Sequence, residues 1–282
     1  MANEDTDFRE HGRRLSPVLS KIILQSEEDN RQILTPKNFA DFYRCSESYA
    51  RKMITELVDN GWLLRVGAGE YQLLSAKTGL EPYPSADKFV LAGQLSPDGF
   101  ISFGSAAEYH GLTTQLFQTV TIATLKRARV REAPPVRIEY IHIKQENFVG
   151  FLKITKAPDV MVATIDRTLI DAIHRPELCG GLSDLLEIYQ RGHSRANVDK
   201  ILEFLPTYGS KSLVQRVAYM LELAGIHFSS DQEKELQTMS SGNFAYLFSR
   251  HKFGANSTVS YDKKWRLTVN AAGFGRKKED IE

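Results

Sequence analysis

Apolar positions along the chain fall into a helical rhythm first and a mixed one later. In residues 15–25, "LSPVLSKIILQ", Leu15, Val18, Leu19, Ile22 and Ile23 recur with the 3.6-residue period of one helix face. In "LTPKNFADFY", Thr35 is a suitable N-cap and Pro36 suits the first helical position, with Phe39, Phe42 and Tyr43 directed inward. In "RCSESYARKMITELVDNGWL", Ser46 or Ser48 can cap a third helix. That helix buries Ala50, Met53, Ile54 and Leu57 and stops at Gly61. The next stretch, "WLLRVGAGEYQLL", alternates around a Gly67–Gly69 turn and predicts two short strands, with Leu64 and Val66 on one and Tyr71 and Leu73 on the other.

Three helices followed by a β-hairpin is the order of a winged helix-turn-helix. Residues 78–87, "TGLEPYPSAD", hold two prolines and a glycine and read as a linker. The predicted organisation is therefore α+β, with a winged helix-turn-helix in residues 1–80 and a larger mixed α/β domain in residues 85–282. In the larger part, "SADKFVLAGQL" predicts a helix, and "GFISFGSAAEYHGL" a turn and a helix ending at Gly111. The β-branched runs "QTVTIATL" and "VRIEYIHI" predict strands on either side of the basic loop "KRARVREAPP". A hairpin turning near Ala157-Pro158-Asp159 follows. Helices are then expected at 165–174, 181–191, 195–205 and 210–224, and strands at "FAYLFS" and "WRLTVN", with a charged tail from Arg276.

Composition narrows the options. The 282 residues carry 36 basic and 35 acidic side chains, a formal charge of +1, so any nucleic-acid role must come from local clusters. Cys45 and Cys179 lie far apart without metal-ligand spacing, which predicts reduced thiols. The charged start "MANEDTDFREHGRR" lacks the apolar core of a leader, and no apolar run approaches the roughly 20 residues of a membrane span. A soluble, cytoplasmic protein is expected, with no membrane partner.

The chemistry of the first domain points to a duplex. Ala40 lets two helices cross closely, and Cys45, Ala50 and Met53 line the elbow between them. The start of the third helix would then lie in the major groove. It carries Ser46, Glu47, Ser48, Tyr49, Arg51 and Lys52. Serines suit phosphate or base-edge hydrogen bonds, arginine can bind guanine through two bonds, and lysine neutralises phosphate. Lys37 at the second helix and Arg65 in the wing add phosphate contacts. In the second domain, Lys126, Arg127, Arg129 and Arg131 form a dense basic run, readable as a solvated loop or as a further phosphate-binding patch. Arg137, Lys144, Lys153 and Lys156 add to the same region. Asp5, Asp7, Glu27, Glu28 and Asp29 offset the basic charge of the first domain, so binding through paired sites is expected.

Catalytic patterns are weaker. Asp166, Asp171 and His174 stand close in "ATIDRTLIDAIHR", but Arg167 at i−4 from Asp171 makes a helix-stabilising network the simpler reading. Tyr109 is expected to pack, and His110 beside Gly111 to cap a helix C-terminus. "CGG" at 179–181 lacks the lysine of a phosphate loop. No cofactor, metal site or enzymatic activity is expected.

The run "S-x-x-x-A-R-K-M-x-x-x-L-x-x-x-G-W-L" resembles the winged-helix pattern of many bacterial regulators, with one departure: Arg44 stands at the turn position usually held by glycine. "DGFISFGSAAEYHGLT", "TVTIAT" with its basic run, "VATIDRTLIDAIHRPELCGGLSDLLE", "YGSKSLVQRVAYMLELAGI" and the closing "WRLTVN" together resemble AbiEi-type antitoxins, the antitoxin half of the AbiE phage-defence systems. The resemblance spans nearly the whole chain. It implies a winged helix that binds inverted repeats in its own promoter and represses the operon. It also implies a second domain that neutralises a nucleotidyltransferase-like toxin, without a stable complex being required. A winged-helix regulator whose second domain senses a ligand or an unrelated protein is the alternative. An enzyme of nucleic-acid metabolism with a DNA-binding appendage is a third.

Overall fold

The computed structural model describes residues 13, 16–78, 86–154, 159–240, 242–249 and 260–275. The chain begins α1 (Pro17–Glu28), β1 (Ile33–Leu34), α2 (Pro36–Tyr43), α3 (Glu47–Asp59), β2 (Leu63–Gly67) and β3 (Glu70–Leu73). Each helix starts where a side chain satisfies its first free N–H groups. Ser16 accepts from Leu19 N, and Ser46 accepts from Tyr49 N. Thr35 and Asn38 cap each other reciprocally, each side chain accepting from the other's backbone N–H. β1 pairs antiparallel with β3, which pairs antiparallel with β2, giving the order β1-β3-β2.

The predicted stripe of α3 is buried as expected, with Ala50, Met53, Ile54 and Leu57 at 7% exposure or less. They pack with Leu19, Ile22, Ile23, Leu34, Phe39, Ala40, Trp62, Leu63 and Leu73 in one core, flanked by Tyr43, Cys45 and Tyr71. One inward assignment in this part of the chain fails. Val18 is 52% exposed, because α1 turns Leu19, Ile22 and Ile23 to the core and Val18 lies off that arc. In the hairpin, Leu63 rather than Leu64 is buried. Leu63 sits opposite Leu73 and Leu64 opposite Gln72, and a shift of one residue changes the sheet face. Leu15 lies outside the described residues.

The chain continues with α4 (Lys88–Gln94), β4 (Gly99–Ile101), α5 (Phe103–Tyr109), β5 (Thr119–Thr124), β6 (Arg131–Ala133), β7 (Val136–His142), β8 (Phe151–Lys153) and β9 (Met161–Ala163). The six strands β4–β9 form one sheet in the order β6-β7-β5-β4-β9-β8. β4 and β9 run parallel, with Ile101 opposite Val162. The basic loop predicted at 126–135 is partly a strand: Arg131 pairs with Ile138 across the antiparallel β6–β7 hairpin. Next come α6 (Ile165–His174), α7 (Leu182–Gly192), α8 (Val198–Phe204), α9 (Lys211–Leu223) and α10 (Ser230–Met239), then β10 (Ala245–Tyr246), β11 (Ser260–Asp262) and β12 (Leu267–Val269). The last three strands form a second sheet, β10-β12-β11. The mixed α+β class is as expected. α10, β1, β4, β6 and β11 are additions. Most of the predicted linker, the apex of the 157–159 turn and the tail from Arg276 lie outside the described residues.

The chain divides into two compact units. One comprises Met1–Gly99, Arg129–Glu139 and Lys153–Met161, and the other Phe100–Ala128, Tyr140–Leu152 and Val162–Glu282. Within the first, the Gln94 side chain of α4 accepts from Gln32 N and Ile33 N and donates to Asn30 O, closing one edge of β1. Within the second, α6 is buried nearly all round. α9 buries Leu213, Val217, Met220 and Leu221 as predicted, and Val214, Ala218 and Tyr219 as well. Both cysteines are free thiols. Cys45 is half-buried, and burial pushes the Cys179 thiol well above its usual range.

Candidate nucleic-acid interface

α3 presents two unlike faces. Its apolar face is spent on the core. Ser46, Ser48, Tyr49, Arg51 and Lys52, with Glu47, are all exposed at or near its N-terminal end. The Ser46 hydroxyl is committed to the Tyr49 N–H, so it defines the helix start. Lys52 lies one turn beyond Ser48 and shares its face, where Thr55, also exposed, extends the polar row. Thr55 carries no signal of its own in the sequence, and only the helix register places it there. The Arg51 guanidinium lies 3.2 Å from the Glu47 carboxylate one turn earlier. Both are more than half exposed, so the pair is easily exchanged for another anion.

The turn before α3 resolves the departure at Arg44. Its backbone takes φ 52, ψ 47, the left-handed conformation that glycine usually supplies, and its N–H still reaches Ala40 O. The turn therefore keeps its shape with an exposed arginine in it. Lys37, second residue of α2, is exposed. Arg65 is exposed on β2, with Nε donating to Gly67 O at 3.2 Å beside the β-bulge that ends the strand.

The basic run divides by environment. Lys126, Arg127 and Arg129 are exposed. Arg131 is engaged by a carboxylate. Its guanidinium grips both Glu70 oxygens, at 2.5 and 3.3 Å, and also reaches Val66 O. The reason is tertiary: strand β6 brings it to the β2–β3 hairpin, and the two partners are 61 residues apart in sequence. Of the outlying cations, Arg137 pairs with Glu132 and Lys153 with Asp159, while Lys156 lies outside the described residues. Arg13 has a role that no local pattern signals. It stacks 4.2 Å over Trp62 and donates to Gly61, Leu74 and Ser75 carbonyls, tying the end of α3 to the end of β3.

In the other unit, the acids of "ATIDRTLIDAIHR" serve the architecture. Thr164 caps α6, and Asp166 accepts from Asn197 N at the start of α8. Asp171, 1% exposed, accepts from Arg167 Nε at 2.8 Å, Ser102 Oγ at 2.8 Å and Tyr208 OH at 2.6 Å. Arg167 turns its remaining reach to Asn147 and Val149 carbonyls. His174 stands edge-on to Tyr208. His110 is the C-cap residue of α5, but its ring does not cap that helix. Its Nε2 donates to Ala163 O at 2.6 Å, while Arg195 serves the His110 carbonyl. Burial is the main cause lowering the pKa of the imidazole, consistent with a neutral donor. Tyr109 is exposed, not packed inward. Among the described residues, no group of three or more His, Cys, Asp or Glu side chains is placed to hold a metal ion, and no helix is long and apolar enough to cross a membrane.

No known family profile matches the chain, and neither does any curated protein. Among solved structures, the chain is similar to the crystal structure of the RV2827C protein from Mycobacterium tuberculosis, with 16% sequence identity and a TM-score of 0.61. The match covers 92% of this chain and 94% of that one. At that identity the likeness establishes a shared fold.

Proposed function

We propose that this chain is a DNA-binding antitoxin of a toxin-antitoxin operon, with α1 through β3 forming a winged helix-turn-helix that represses its own promoter. The observation that carries the DNA-binding half is the order α1-β1-α2-α3-β2-β3 combined with the two faces of α3. α3 is the recognition helix, α2 crosses it at Ala40, and the β2–β3 hairpin is the wing. Ser48, Tyr49, Arg51 and Lys52 enter the major groove, where Arg51 and Lys52 also neutralise the flanking phosphates, and Lys37 and Arg65 meet the backbone. Lys126, Arg127 and Arg129 are further candidates for phosphate contact. The larger unit neutralises a nucleotidyltransferase-like toxin. That half rests on the sequence resemblance to AbiEi-type antitoxins. The proposal places the protein in the cytoplasm and assigns it no reaction and no cofactor.

Fluorescence anisotropy on a duplex from the chain's own promoter tests the first half. Replacing Arg51 and Lys52 together by alanine should reduce the slope of log K against log salt by about 0.9 for each phosphate left unneutralised, roughly 2 per half-site. An unchanged slope would remove α3 from the interface. Co-expression with the adjacent gene tests the second half: growth arrest that this chain fails to relieve rules out the antitoxin role.

A further inference from the structure

The C-terminal sheet β10-β12-β11 has one buried face and one aromatic face. Leu247, Leu267 and Val269 point to the core and are fully buried. The register fixes the other side. Tyr246 on β10 and Tyr261 on β11 both lie opposite Thr268 of the central strand, so the three side chains share a face. Thr268 is nearly covered between its neighbours, whereas Tyr246 is 42% and Tyr261 68% exposed. Phe244, two residues before Tyr246, is 56% exposed and meets Tyr261 edge to face at 6.4 Å between ring centroids. Burial does not account for three large rings on one open sheet face, since each keeps much of its surface in water.

One exposed arginine, Arg266, flanks this platform beside strand β10. Arg216 of α9 donates through Nε to Tyr246 O, and Arg266 donates to Gly242 O at 2.6 Å. Among the described residues, no carboxylate pairs with either guanidinium. Exposed Arg266 is held in place by a neutral carbonyl and keeps its charge available to an anion, whereas Arg216 is half-buried and burial lowers its pKa. Aromatic rings on a sheet face stack bases without regard to sequence, and flanking arginines neutralise the connecting phosphates. The phenol hydroxyl of Tyr261 adds a donor and acceptor suited to a ribose 2′-hydroxyl. Duplex DNA, with its bases already stacked in pairs, has no free ring to offer this face.

We infer that the face formed by Phe244, Tyr246 and Tyr261, flanked by Arg266, binds single-stranded RNA. The site is separate from α3, and its use does not depend on the promoter-binding reading. The probe is a labelled oligouridylate of about twelve nucleotides, within the span single-stranded sites cover, titrated with the full chain in anisotropy. Tyr261→Thr, which keeps a good strand former at an exposed position, should weaken RNA binding by about five- to 150-fold, the loss of one stacked base. Tyr261→Trp should restore it. Arg266→Gln should lower the salt slope by about 0.7, the value for one neutralised single-strand phosphate. Tyr261→Thr should leave promoter-duplex affinity unchanged, whereas the Arg51/Lys52 double variant should do the reverse, so the two readings fail separately. Thermal melting verifies that each variant is folded, with Phe244→Ser as a second variant that removes a ring. The inference is overturned if the full chain does not bind the oligomer, if the matching oligothymidylate binds as tightly, or if both ring variants bind like the parent. It is also overturned if the ring variants lose toxin neutralisation with RNA affinity intact, which would make the face a protein-docking surface.

Discussion

Glu47 is the one acid at the N-terminal end of the proposed recognition face, and its replacement separates a structural from a DNA-facing role for α3. In the free protein Glu47 helps the fold in two small ways. It sits in the first turn of α3, where the helix dipole favours an anion by about 0.3–1 kcal/mol, and it pairs with Arg51 at i+4 for about 0.3–0.5 kcal/mol. Glu47→Gln should therefore lower stability by roughly 0.5–1.5 kcal/mol. On DNA the same change acts in the opposite direction. A carboxylate about 7 Å from a phosphate in water costs about 0.6 kcal/mol, since 332/(80 × 7) is about 0.6. Releasing Arg51 from an exposed pair returns a few tenths of a kcal/mol more. The sum, about 1 kcal/mol, corresponds to roughly fivefold tighter binding per half-site. Urea denaturation and duplex anisotropy on the same preparation check both signs. Binding that weakens along with stability, or does not change, would refute the placement of α3 against the phosphates.

Three further outcomes follow from the geometry. Arg44→Gly should stabilise the first unit by about 0.5–1 kcal/mol, the left-handed cost relieved less the entropy that glycine adds to the unfolded chain; a lower melting temperature would show that the arginine side chain outweighs its backbone. Asp171→Asn should cost about 3–5 kcal/mol, because Arg167 is left charged and buried, while Asp171→Leu with Arg167→Met should recover only part of it, since the Ser102 and Tyr208 hydroxyls still lose their acceptor; a loss under about 1 kcal/mol in urea melts would contradict the network. For His110, burial lowers the folded-state pKa below the ordinary value of about 6.5, so its stabilising effect is fully present above that value and is lost as pH falls through it; the melting temperature should drop below about pH 6.5, and His110→Gln should flatten the drop.

Much of this protein is legible one element at a time. The caps at Ser16, Thr35, Ser46 and Thr164 and the stripe of α3 follow from local rules, because each cap and its N–H partner are three residues apart. α10 was not legible, since "SDQEKELQTM" buries only Leu236 and shows no apolar period. β6 was hidden in a charged run whose strand character comes from its hairpin partner. Leu63 and Leu64 are indistinguishable by composition, and only pairing with β3 decides which of them faces the core.

The sequence by itself determined the mixed class, the order of helices and hairpin at the N-terminal end, and the polar face of α3, because periodicity and capping act over a few residues. Only the tertiary structure decided how the cations and acids are used. It gave Arg131 to Glu70, joined Ser102 and Tyr208 to Asp171, and turned the His110 ring to Ala163. It also aligned Tyr246 and Tyr261 across Thr268. Charged and hydrogen-bonding groups take whichever partner folding brings within about 3 Å. Their pairing is a property of strand order and helix packing, which no local pattern records.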